Sequence, residues 1–431
     1  MLKRIQRANK RDSRHLRFYF KMKHFLALCL LVSYVAAEDL RSILRSPKET
    51  LKLYSNFKAQ EHLAFGASED RMRFRMFRSN AEFVADANEE GSSAEFALNF
   101  FSAMTADEKR QYLGLNITGH LPNAPVLSST PLQTPPAKKL WTNEEAVTEV
   151  KDQGKCGSCW TFGAVGGLES RYKAKSGVLR NFAEQEYLDC VYEGLNRDGC
   201  NGGWPDDCYT YSQHNGGRLA ATKDYHYGPV DVKCEASKKP NAMVAYKITG
   251  FENVRAGESA NIAALATGSL AVAFEVTNYF QQYSKGIIKD TTCSGRPNHA
   301  VTAVGYTENF VLVKNSWGTG WGDQGFVKFA RHYDNCGLFD YSSYPTLKST
   351  GKQDTTPADT ATPYRPSEDD VVCEDVSHYC RPDHCQYEDL VEYCRKTCNK
   401  CGDDSDDGGD GDCPSGTVMC DDGVCRHEHM C

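Results

Sequence analysis

The sequence lacks an apolar run long enough to cross a membrane. Its one sustained candidate, Phe25 to Ala36, is about a dozen residues where a spanning helix needs about twenty. It sits behind Lys21 and Lys23 and ends in the small residues Val35-Ala36-Ala37, so residues 1–37 read as a signal peptide. The stretch ahead of it is unusually basic. Met22 is therefore a plausible true start, leaving either an extended n-region or a gene-model artefact. Elsewhere positive charge is in deficit: the net charge of −7 leaves nucleic acid no natural hold. Cysteine is missing from Glu38 to about Pro136, yet the 431-residue chain carries 19. That number would be hazardous in a reducing cytosol and suits an oxidising compartment. The length exceeds one ordinary domain.

What is present centres on Gln153-Gly154-Lys155-Cys156-Gly157-Ser158-Cys159-Trp160-Thr161-Phe162. Cys159 opens an apolar run at helical spacing (Phe162, Ala164, Val165, Leu168) that ends at Gly177, which puts a thiol at a helix N-terminus. The positive dipole end favours thiolate there, and thiolate is the nucleophile. On local sequence alone, Cys156 and Cys159 also read as a redox dithiol or as structural half-cystines. Far downstream, strands 299–306 and 310–317 are joined by Thr307-Glu308-Asn309. A hairpin centred on Glu308 sets His299 opposite Trp317 and Val301 opposite Asn315. His299 and Asn315 then share a face two rungs apart, where the amide can fix the imidazole and Trp317 can cover both from water.

Before the cysteines, 38–136 is helical in pattern, with Leu51, Tyr54, Phe57, Phe74, Phe77 and Val84 forming an apolar stripe that needs a partner. Asn116-Ile117-Thr118 is an N-glycosylation acceptor at Asn116, and Pro122 to Pro136 is a connector suited to cleavage. From 137 to 347 the front half reads helical and the back half as strands, notably Leu270–Val276, Ala300–Tyr306 and Phe310–Lys314: an α+β pattern. Residues 348–372 form a Thr/Pro-rich solvated linker, and 402–412 an acidic spacer between two cysteine-dense pieces.

Cys159 in its glycine-rich frame, Asn298-His299-Ala300-Val301 and Lys314-Asn315-Ser316-Trp317-Gly318, in that order and spacing, resemble the papain family of cysteine proteases. The resemblance disposes of the redox reading. It implies a two-lobed α+β catalytic domain over 137–347, one lobe helical and one β-barrel-like, with Cys159, His299, Asn315 and Gln153 catalytic and no cofactor or metal. Glu69, Arg73, Phe77, Asn80, Val84 and Asn88 resemble the family's propeptide pattern, which implies that 38–136 inhibits its own enzyme. The aspartate usual in the next motif is Ala103 here, which weakens any pH-sensing role for that position. Gly202 and Gly203 are implied to offer backbone hydrogen bonds to an extended substrate. Trp204, Pro205, Ala273, Pro297 and Tyr341, with Trp317 nearby, are implied to wall its main pocket, made shallow by Tyr341.

The pairings Cys156–Cys200, Cys190–Cys234 and Cys293–Cys336 follow from the same resemblance. Cys208 is left spare, as a buried thiol or an intermolecular bridge. Several stretches, such as Phe274-Glu275-Val276-Thr277, look closer to cathepsin H, an aminopeptidase whose cleft is blocked by a disulfide-tethered mini-chain. No cysteine in 38–136 could tether one, which points to an open-cleft endopeptidase. Cys373, Cys380, Cys385, Cys394, Cys398 and Cys401 resemble the ShK toxin domain, implying Cys373–Cys401, Cys380–Cys394 and Cys385–Cys398. The four cysteines of 413–431 resemble the start of an LDL-receptor class A repeat without its calcium-binding end. The whole reads as a secreted or lysosomal zymogen with protein and peptide substrates, whose tail docks extracellular protein or glycan. The rival is a catalytically idle binding protein that uses the tail.

Overall fold

The computed structural model describes residues 37–115, 134–193 and 199–360, with the backbone of two short strands near the C-terminus. The signal peptide, Asn116, most of the connector and the proposed bridges of the tail lie outside the described residues. Among the described residues no helix is long and apolar enough to cross a membrane. The chain divides into two units, 1–370 and 371–431. In the second, β10 (Val418–Met419) and β11 (Cys425–Arg426) pair antiparallel.

The first unit opens with α1 (Ala37–Arg45), α2 (Pro47–Gln60) and α3 (Ala67–Glu89). Ser46 caps α2 by accepting from the Glu49 N–H, and Pro47 starts the helix where no N–H is needed. Phe77, Ala81, Val84 and Ala85 bury one face of α3, and the Phe77 ring meets Tyr54 and Phe57 from α2 at 5.2 and 4.9 Å. Arg73 shares that buried face. It is offset by Glu69 and Glu108 and donates to the Ala103 carbonyl at 3.0 Å, bracing α3 against α4 (Ala106–Arg110). The segment then joins the main sheet: β1 (Ala94–Phe96) pairs antiparallel with β5 (Tyr283–Ile288).

The helical lobe carries α5 (Cys159–Ser176), α6 (Glu184–Cys190) and α7 (Pro205–His214) around a core of Trp160, Leu168, Tyr172, Tyr187 and Tyr209. The other lobe is a sheet with β4 (Leu270–Phe274), β6 (His299–Tyr306), β7 (Phe310–Lys314), β8 (Phe326–Ala330), β9 (Tyr341–Ser349) and β3 (Tyr246–Val254). Its order is β1-β5-β8-β7-β6-β4-β9-β3, with β2 (Lys139–Leu140) added beside β6. This is the α+β, two-lobed, papain-like architecture expected. The lobes meet where α5 lies on β6. A Cβ on Gly166 would sit 2.1 Å from Thr302 Oγ1, so only glycine lets helix and strand approach this closely.

Two expectations are corrected here. Cys156–Cys200 and Cys190–Cys234 are bridged, but Cys293 and Cys336 are separate thiols. Cys336 Sγ donates to the Asp290 carbonyl at 3.3 Å, and the Cys293 thiol lies beside it, so the pair is in contact without being joined. The chain after Leu347 is also not solvated throughout. Asp354 is buried, accepting from Arg180 Nε and Nη2 at 3.0 and 2.6 Å and from Tyr172 Oη at 2.9 Å. Asp359 accepts from the Asn181 N–H at 2.9 Å. Residues 350–359 thus strap the helical lobe.

Candidate active site

Cys159 is the first residue of α5, after Ser158 as N-cap. His299 opens β6, and the β6–β7 hairpin sets the distance to Asn315. Thr302 faces Lys314 and Ala303 faces Val313, the register of a turn centred on Glu308; nearer the turn a bulge between Ala303 and Gly305 shifts the pairing by one residue. His299 Nε2 donates to Asn315 Oδ1 at 2.9 Å, and the same oxygen accepts the Ser316 N–H at 2.8 Å. That leaves His299 Nδ1 buried with no hydrogen-bond partner. The Trp317 ring lies 4.7 Å from the imidazole at 31°, and Phe274 and Phe280 close other sides. Cys159 Sγ accepts the N–H of Ala300, next to His299, at 3.4 Å.

Gln153 is buried, with Nε2 donating to the Cys156 carbonyl at 2.9 Å and Oε1 accepting from Ser316 Oγ at 2.6 Å. The same Nε2 donates to the Tyr112 carbonyl of the N-terminal segment at 3.1 Å. That segment occupies the cleft. Gly203 N–H donates to the Gly114 carbonyl at 2.9 Å, and Leu115 N–H donates to the Asn298 carbonyl at 3.2 Å. Phe101 packs on Trp317 at 4.8 Å. Gly202, at φ +108°, approaches the Gly114 carbonyl so closely that a Cβ would lie 2.7 Å from its oxygen.

This cover alters the chemistry. Burial pushes the Cys159 thiol up to about 11, against the N–H groups of Ala300, Gly114 and Trp160 facing the sulfur. Burial likewise pulls His299 down to about 4, with the Asn315 bond opposing. The covered pair is therefore neutral thiol and neutral imidazole, not the ion pair that a helix N-terminus alone would favour.

Trp204, Pro205, Ala273 and Tyr341 line one cavity together. Pro297 is buried outside its lining. Tyr341 is 36% exposed and stands edge-on to Trp204 at 5.7 Å. Sequence reasoning left Ser316, which steers Gln153, without a role, although it lies inside the Asn-Ser-Trp motif. It also missed Tyr227, which donates to the Gln153 carbonyl at 2.8 Å; no local pattern marks that residue. Beneath the site Lys314 Nζ donates to Thr148 Oγ1 at 2.9 Å, and Thr148 donates to Glu169 at 2.6 Å, tying β7 to the helical lobe. Among the described residues no group of three His, Cys, Asp or Glu side chains is placed to hold a metal.

Residues 135–346 match the sequence profile of papain family cysteine proteases. Cathepsin L1 of Drosophila melanogaster is 34% identical over 345 residues, 75% of this chain and 90% of its own length. Pro-cathepsin H of Medicago truncatula is 36% identical over 291 residues, 65% of this chain and 81% of its own. A recombinant stem bromelain precursor superposes with a TM-score of 0.62 at 31% identity, covering 70% of this chain and 99% of that one. The digestive procathepsin L2 proteinase from Tenebrio molitor larval midgut gives 0.62 at 31%, covering 69% and 100%. The chain belongs to the papain family of cysteine proteases. It is a cysteine peptidase in precursor form, with its N-terminal segment lying across its own cleft.

Proposed function

We propose that this chain is the zymogen of a secreted or lysosomal cysteine endopeptidase. The observation that carries this reading is the contact between Gln153 Nε2 and the Tyr112 carbonyl: the residue suited to hold an oxyanion already holds a peptide carbonyl in the cleft. Once the N-terminal segment leaves, water returns and the neutral pair can separate charge. His299 Nδ1 takes the Cys159 proton, while Nε2–H stays bonded to Asn315 and keeps the ring in place. The thiolate sulfur attacks the substrate carbonyl carbon. Gln153 and the Cys159 N–H stabilise the resulting oxyanion. The imidazolium gives its proton to the departing amine, and water then hydrolyses the thioester with His299 as base.

Gly202 and Gly203 receive the extended substrate backbone where they now meet residue 114. Endopeptidase action is favoured because no cysteine in 38–136 can tether a blocking peptide. Residues 1–37 direct export, Asn116 carries a glycan, and the ShK-like and class A-like pieces dock extracellular protein or glycan. The test is acid activation of the recombinant zymogen with an epoxide thiol-protease inhibitor, followed by mass mapping of the adduct and comparison of amine-blocked with free-amine fluorogenic peptides. The adduct is expected on Cys159, with blocked peptides cleaved at least as well. An adduct elsewhere removes the mechanism, and a strong preference for free amines removes the endopeptidase assignment.

A further inference from the structure

The cavity behind Tyr341 has a volume of about 190 Å³, where a water's share of liquid volume is about 30 Å³. Trp204, Pro205, Ala273 and Tyr341 give it apolar lining. Asp206 from the first turn of α7, Asn253 from β3 and Ser342 from β9 also line it, and they are only 3, 9 and 6% exposed. Asp206 Oδ1 and Ser342 Oγ are each buried without a hydrogen-bond partner, although Ser343, Trp204 and Asn253 are polar neighbours of the Asp206 carboxyl. Buried polar atoms left unpaired are costly, and two around one cavity call for a polar occupant.

The charge of that occupant follows from the lining. Asp340 joins Asp206 there, and no lysine, arginine or histidine is among the lining residues. Burial pushes the Asp206 carboxyl up to about 6, and Asp207 adds to the push; a cation seated beside it would reverse this. Apolar walls leading to a buried carboxylate match a side chain with an aliphatic stem and a cationic head.

We propose that this cavity receives a lysine or arginine side chain of the peptide substrate, the stem against Trp204 and Ala273 and the head against the Asp206 carboxylate. Asp206 is then a specificity-determining residue, and the pocket selects basic residues. The inference rests on the reading of this cleft as a peptide-bond hydrolase.

The test uses activated enzyme and three amine-blocked fluorogenic peptides that differ only in the second residue before the scissile bond: lysine, Nε-acetyl-lysine or leucine. Lysine should exceed acetyl-lysine in kcat/KM by roughly tenfold, and Asp206→Asn should lower the lysine-to-leucine ratio by about as much. Equal rates for lysine and acetyl-lysine, or a ratio untouched by D206N, overturn the inference. If D206N does not fold, the lysine and acetyl-lysine pair on the wild-type enzyme decides alone. Cleavage of the leucine peptide without charge preference sinks this inference only, whereas failure on all three peptides sinks the peptidase reading with it.

Discussion

Gly114→Ala tests how the precursor is kept silent. A Cβ at this position would lie 1.8 Å from the Gly157 carbonyl oxygen and 2.2 Å from its carbon. Both are backbone atoms, held by the Cys156–Cys200 bridge next door and by the bond from Gly157 N–H to the Cys200 carbonyl at 2.8 Å. The N-terminal segment must therefore lift by roughly 1.7 Å to reach ordinary contact near 3.5 Å. Such a shift breaks the bonds at Tyr112, Gly114 and Leu115, now 3.1, 2.9 and 3.2 Å long. At about 0.5–1.5 kcal/mol each, the loss of all three sums to roughly 1.5–4.5 kcal/mol, or about 10- to 2000-fold weaker inhibition. The assay is inhibition of the mature enzyme by the added 38–136 segment, wild type against G114A, with the basal rate of each intact zymogen beside it. The mature enzyme lacks residue 114, so its own kinetics serve as the control. An unchanged inhibition constant would refute the claim that this close approach seals the cleft.

Cys159→Ser should fold normally, since Cys159 is in no bridge, and should lose nearly all peptidase activity; substantial residual hydrolysis would end the nucleophile assignment. Hydrogen bonding from Arg73, helped by the Thr105 contacts and opposed by burial, holds the Glu108 carboxyl down to about 2. Its folded value lies below its unfolded one, so its contribution is present above about pH 4.5 and is lost as pH falls toward 2. The melting difference between wild-type and Glu108→Gln zymogens should thus be constant from pH 7 to 5, and a difference already gone at pH 5 would contradict this. Arg180→Ala strands the buried Asp354 carboxylate and should cost about 3–5 kcal/mol in urea unfolding; an unchanged midpoint would mean that the 350–359 strap carries no load.

The parts of the site that were legible in the sequence are those fixed by local geometry. A helix opening at Cys159 needs only its spacing and Gly177, which does close α5 at φ +77°. The His299 and Asn315 juxtaposition needs only a turn centre, and the bulge at Ala303 to Gly305 falls on the far side of Thr302, sparing the site end. What depended on distant partners was not legible. Composition makes 350–359 read as solvated, because nothing near Asp354 in the sequence announces Arg180, 174 residues away. The bulk of Tyr341 implies a shallow pocket, yet its position follows from pairing opposite Ala273, which leaves it 36% exposed. That the dyad is neutral while covered was not legible for the same reason. A helix dipole can be read locally, whereas burial under residues 112–115 cannot.

Burial holds the Cys159 thiol well above its ordinary range, so at neutral pH the thiol form dominates. Cys159 lies three residues from the Cys156–Cys200 bridge, in a chain with 19 cysteines. A free thiolate there would be well placed to attack that bridge and shuffle partners during maturation. The residues crossing the cleft therefore also act as a chemical guard. They keep the most reactive sulfur out of disulfide exchange and away from oxidants until the same departure that admits substrate switches it on.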